Sequence, residues 1–105
     1  MTDRNEPRTG GEVLEKPSER VKEPDLYRVI LHNDDYTSME FVVEVLETVF
    51  HRGPAEAYRI MMKVHVEGRG VAGVYTHEVA ETKAERVLDL ARANGFPLMA
   101  SIEEA

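Results

Sequence analysis

Apolar positions fall into two regimes along the chain. Residues 1–25 carry four of them, Met1, Val13, Leu14 and Val21, scattered among charges, prolines and glycines. That segment cannot bury enough apolar surface to offset its ordering entropy, and it reads as a disordered N-terminal tail. From residue 26 the apolar residues become dense and periodic, which places one domain at 26–105. Leu26–His32 (LYRVILH) is aliphatic and β-branched and reads as a strand. Asn33, Asp34, Asp35 and Tyr36 then supply turn chemistry, because short Asx side chains bond nearby backbone amides. Thr37 and Glu40 have the spacing of a capping box, predicting a helix over about 38–50. On it Glu40, Glu44, Glu47 and His51 make a wet stripe, while Met39, Val42, Val43, Leu46 and Phe50 line the other side. Phe41, Val45 and Val49 widen that side enough to pack in two directions.

The punctuation that follows is strong. Gly53 tolerates positive φ and Pro54 suits a first helical position, opening a second helix over 54–67 that Gly68 and Gly70 end. Residues 71–76 read as a short strand, and Thr76 as the cap of a third helix over 77–94. Val79, Ala80, Ala84, Val87, Leu88 and Ala91 form its inner face. Gly95 takes the left-handed stop, Pro97 blocks continuation, and 98–102 reads as a last strand. The order β-α-α-β-α-β in about 80 residues predicts an α+β two-layer sandwich, a three-stranded, mainly antiparallel sheet with three helices. The order of strands within the sheet stays open.

Composition narrows the function. Thirteen Lys and Arg against 20 Asp and Glu give a formal charge of −7, which repels phosphate backbones and suits a cationic ligand or partner. There is no cysteine, so thiolate chemistry and Cys-ligated metals are excluded. No segment approaches the roughly 20 apolar residues of a membrane span, and the expected location is the cytoplasm. Ser18, Ser38 and Ser101 sit in no G-x-S-x-G elbow, and no glycine-rich phosphate loop opens a helix, so no cofactor is expected.

The dense chemistry is at residues 32–37. One reading is a capped turn with surplus solvated carboxylates. The other is an acceptor-rich lip that holds an ammonium group, with Asn33, Asp34, Asp35 and His65 as its rim. Met39, Met61, Met62 and Met99 are core in the plain reading, or the adaptable lining of a hole for one large side chain. A rival is a small metal-dependent hydrolase built on His32, Asp34, Asp35 and His65. A third is a structural module without a pocket.

The strings Asn33-Asp34-Asp35-Tyr36-Thr37, Met39-Glu40-Phe41-Val42, Val64-His65, Gly73-Val74-Tyr75 and Glu78-Val79-Ala80-Glu81-Thr82-Lys83 resemble the ClpS adaptor family over essentially all of 26–105. The resemblance implies a non-enzymatic adaptor. It would bind N-degron substrates, whose first residue is Phe, Tyr, Trp or Leu, and hand them as a monomer to the AAA+ unfoldase ClpA, which feeds ClpP. It also implies residue roles. Asn33, Asp35 and His65 would surround the substrate's α-amino group, with Asp34 adding negative potential. Leu31, Thr37, Met39, Val42, Met61, Val64 and Leu98 would wall the side-chain pocket, with Met39 as the gate against β-branched residues. Glu78 and Lys83 would lie on the unfoldase-docking surface, and residues 1–25 would form the arm offered to the unfoldase pore. His32 replaces a usually aliphatic pocket-edge residue, which bears on the ranking among the four first residues. Ser38 stands where the family commonly has Pro, and Gly53-Pro54 differs from its usual polar helix start.

Overall fold

The computed structural model describes residues 25–105, so the tail reading for 1–25 falls, apart from Asp25, outside the described residues. The elements are β1 (Leu26–His32), α1 (Met39–Thr48), α2 (Pro54–Glu67), β2 (Arg69–Thr76), α3 (His77–Ala93) and β3 (Met99–Glu104). The sheet order is β2-β1-β3, with both pairings antiparallel. This is the predicted α+β arrangement of three strands and three helices, with the strand order now supplied.

Strand β1 is central. Val29 and Leu31 are fully buried and face a core built with Val45 and Leu46 of α1, Ile60 and Val64 of α2, and Ala80, Val87 and Ala91 of α3. The opposite face carries Arg28, His32, Arg69, Ser101 and Glu103. There Arg69 pairs with Glu103 at 2.8 Å, and His32 Nε2 meets Ser101 Oγ at 2.7 Å. Pairing slips by one residue between Val29 and Ile30, leaving Ala72 as the bulged residue of β2. Its carbonyl accepts from Arg52 Nε at 2.9 Å, tying the link between α1 and α2 to the sheet.

Several boundaries differ from the sequence reading, each for a local reason. Helix α1 is capped by Ser38, whose hydroxyl accepts from Phe41 N at 3.1 Å, and not by Thr37. Thr37 is engaged by Asp34, which takes both its amide and its hydroxyl. The left-handed residue after α1 is His51 (φ 57°), while Gly53 is an extended N-cap (φ −68°) for Pro54. Strand β2 begins two residues earlier than expected, at Arg69, because it pairs with His32. Strand β3 runs on to Glu104 through pairing with Tyr27. Thr76 holds the N-cap position of α3 but makes no side-chain capping bond, and Val79 of α3 is exposed.

Candidate functional site

The end of β1 and the end of α2 meet at one backbone hydrogen bond: Asn33 N donates to Gly68 O at 2.9 Å. Gly68 can present that carbonyl because it closes α2 in the left-handed conformation (φ 93°), where a side chain would be strained. The tie brings Asn33 and His65, from separate elements, to the mouth of one cleft.

The turn after Asn33 forms the rest of the mouth. Asp34 Oδ1 accepts from the amides of Tyr36 and Thr37 at 2.8 and 2.7 Å, and Oδ2 accepts from the Thr37 hydroxyl at 2.7 Å. Partial burial pushes this carboxyl upward, but the Thr37 hydroxyl and the two amides outweigh it. The net effect holds Asp34 below the ordinary carboxylate range. Asp34 is therefore an ionised structural cap whose acceptor capacity is largely committed to the turn. Asn33, Asp35 and His65 differ. All three are exposed, and their side chains make no hydrogen bond or ion pair with another described residue.

Below this rim lies a cleft of about 410 Å³. Thr37, Met39 and Val42 wall it on the α1 side, Met61 and Val64 on the α2 side. Val42, Met61 and Val64 are buried, whereas Met39 is 44% exposed at the opening. The structure thus gathers Asn33, Asp34, Asp35, Thr37, Met39, Val42, Met61, Val64 and His65 around one space. Leu31 and Leu98 are buried, at 0% and 2% exposure, in the core cluster that also holds the cleft walls Val42, Met61 and Val64. Tyr36 and Ser38 line the cleft in addition. Tyr36 was legible only as a turn residue, and Ser38 only as a helix start.

An apolar floor beneath acceptors unpaired among the described residues can hold a bulky side chain attached to an ammonium group, whose three N–H donors match Asn33, Asp35 and His65. The two hydroxyls nearest the α1 start already serve the turn and the helix: Thr37 Oγ1 donates to Asp34 Oδ2 and Ser38 Oγ accepts from Phe41 N. The metal reading loses a ligand: alternation along β1 turns His32 to the opposite sheet face, onto Ser101. No three His, Cys, Asp or Glu side chains converge among the described residues.

Glu78 and Lys83 stand elsewhere, in a shallow groove on α3 with Val79, Glu81, Thr82 and Glu85 that shares no residue with the cleft. Lys83 Nζ donates to Val49 O at 2.7 Å, closing the end of α1, and lies 5.3 Å from the Tyr75 ring centre. The described helices include none long and apolar enough to cross a membrane.

Residues 22–101 match the model of the family described as ATP-dependent Clp protease adaptor protein ClpS. A protein of Desulfatibacillum aliphaticivorans named ATP-dependent Clp protease adapter protein ClpS is 57% identical over 93 residues, 89% of each chain. One of the same name from Maricaulis maris is 50% identical over 108 residues, 99% of each chain. Among solved structures, Agrobacterium tumefaciens ClpS2 bound to L-phenylalaninamide superposes with a TM-score of 0.76 at 44% identity, covering 79% of this chain and all of that one.

Proposed function

The chain belongs to the ClpS family of Clp protease adaptors, which are not enzymes, and from that premise we propose that it recognises N-degrons. The substrate's α-ammonium sits against Asn33, Asp35 and His65, and its first side chain enters the cleft between α1 and α2. The observation that carries this reading is the set of three acceptors, unpaired among the described residues, over an apolar cleft. The ligand of the Agrobacterium relative, L-phenylalaninamide, has the same two parts, a free α-amine and a bulky aromatic side chain.

Selectivity follows from the two-part design. Burying a Phe or Leu side chain contributes about 2–3 kcal/mol. A ligand without the ammonium leaves rim groups unpaired, at roughly 1–3 kcal/mol for each group desolvated. A free amine is what separates a first residue from every internal one. The delivery half of the proposal places the chain as a monomer in the cytoplasm. It docks through the α3 surface around Glu78 and Lys83 on the unfoldase ClpA, offers residues 1–25 to the pore, and supplies ClpP with substrate. The hydrolase alternative falls with the family assignment.

The test is a fluorescence-anisotropy titration with Phe-initiated peptides. The free-amine peptide binds saturably and its N-acetylated twin does not. Equal binding of the two would remove the proposal.

A further inference from the structure

A second concavity adjoins the first. Met39, Glu40 and Val43 of α1 and Tyr58 and Met61 of α2 line a predominantly apolar groove on the outer side of the helix pair. Met39 and Met61 belong to both, so the two spaces adjoin across the methionine pair. The groove is open to solvent: Tyr58 is 58% exposed and Met39 44%. A large aromatic ring left in water beside an apolar groove is not needed by the fold, whose core closes without it. Tyr58 is also poorly placed for the first residue, since it does not line the cleft.

We infer that this groove is a downstream specificity site, taking an apolar side chain from position two or three of the same substrate whose first residue fills the cleft. The inference rests on the N-degron reading and extends it. The occupant is fixed by continuity: consecutive Cα atoms are about 3.8 Å apart, so a chain leaving the cleft mouth crosses the Met39 rim within one or two residues. The ring of Tyr58 and the thioethers of Met39 and Met61 form a polarisable surface that accepts differently shaped apolar side chains. The groove would therefore grade N-degrons that share a first residue.

The experiment uses the full chain and four peptides: Phe-Ala-Ala-, Phe-Leu-Ala- and Phe-Ala-Leu-initiated sequences, with N-acetylated Phe-Leu-Ala as control. One of the two Leu peptides is expected to bind about three- to tenfold tighter than the Ala-Ala peptide, as partial burial of one side chain allows. Tyr58→Ala should erase that gain while leaving Phe-Ala-Ala affinity unchanged, and Tyr58→Phe should keep it. If Phe-Ala-Ala binds but neither Leu improves it, or if the gain survives Tyr58→Ala, the groove is not a subsite and the N-degron reading stands alone. If the acetylated control binds like its free-amine twin, the N-degron reading fails and takes the groove with it.

Discussion

The cleft rim and the α3 surface both carry family-signature charges, and they divide them in opposite ways. At the rim the aspartate nearest the turn, Asp34, is consumed by three hydrogen bonds, while Asp35 next to it has no partner among the described residues. On α3 the lysine is the consumed group, its ammonium committed to Val49 O, while Glu78 is exposed. Two residues that look equivalent in a motif can thus differ in kind: one builds the surface, the other is left exposed on it. Whether lone pairs or N–H donors are already used decides which, and no motif displays that.

The largest effect that would break this comparison is at the rim. His65→Ala and Asp35→Ala are each expected to weaken binding of a Phe-initiated peptide by about 10- to 100-fold, the worth of a hydrogen bond to a charged group, with thermal stability unchanged. Both positions are exposed, so a large loss of stability in either variant would place that residue with Asp34 as a builder.

Asp34 should show the complementary behaviour. Asp34→Ala removes the acceptor for two amides and a hydroxyl, and is expected to cost about 1–2 kcal/mol in chemical denaturation, with binding lost only as the turn loosens. Its folded carboxyl lies below the ordinary range, so its contribution is fully present above the unfolded value and disappears as pH falls through the folded one. The unmutated chain should lose stability in acid more steeply than Asp34→Asn, which has no such charge to titrate. Parallel acid limbs in the two proteins would contradict the assignment.

On α3 the prediction is smaller. Lys83→Met should lower stability by about 1 kcal/mol, through the loss of one hydrogen bond and a cation–π contact. Glu78→Lys should leave stability unchanged and weaken only capture by immobilised ClpA, in a salt-dependent way. If Lys83→Met is as stable as the unmutated chain, its bond to Val49 O is incidental. Smaller again is the gate. Met39→Ala should narrow the preference for Leu- over Ile-initiated peptides by about tenfold at most, since a pocket distinguishes neighbouring methylenes only modestly. Equal binding of Leu and Ile peptides by the unmutated chain would already exclude the gate.

Where backbone chemistry is local, the fold was legible. Helix α2 runs from Pro54 to Glu67 as read, because Pro54 can open a helix and Gly68 can close one in the left-handed conformation. Gly95 closes α3 as expected (φ 77°), with Phe96 N reaching Ala91 O and Gly95 N reaching Arg92 O. Where two residues compete for one role, sequence could not choose. Thr37 and Ser38 are both capable caps, and Asp34 decides by capturing Thr37 first. Strand ends set by distant partners were also hidden, as at Arg69, whose register depends on His32. At the site, the rim residues were legible as a cluster, but their division into committed and available groups was not. Leu31 and Leu98 show the same limit: apolar character does not say whether a side chain lines a cleft or backs it.

The hydrogen bond from Asn33 to Gly68 runs between main-chain atoms on both sides. Position 33 is therefore anchored by something every amino acid but proline possesses, and its side chain is exempt from structural duty. The rim behaves as a socket with an interchangeable fitting. Aspartate, serine or glutamine at position 33 would inherit the same location while presenting a different set of donors and acceptors. An engineer seeking a reader for modified or non-natural chain termini would begin there, because the scaffold is indifferent to the choice.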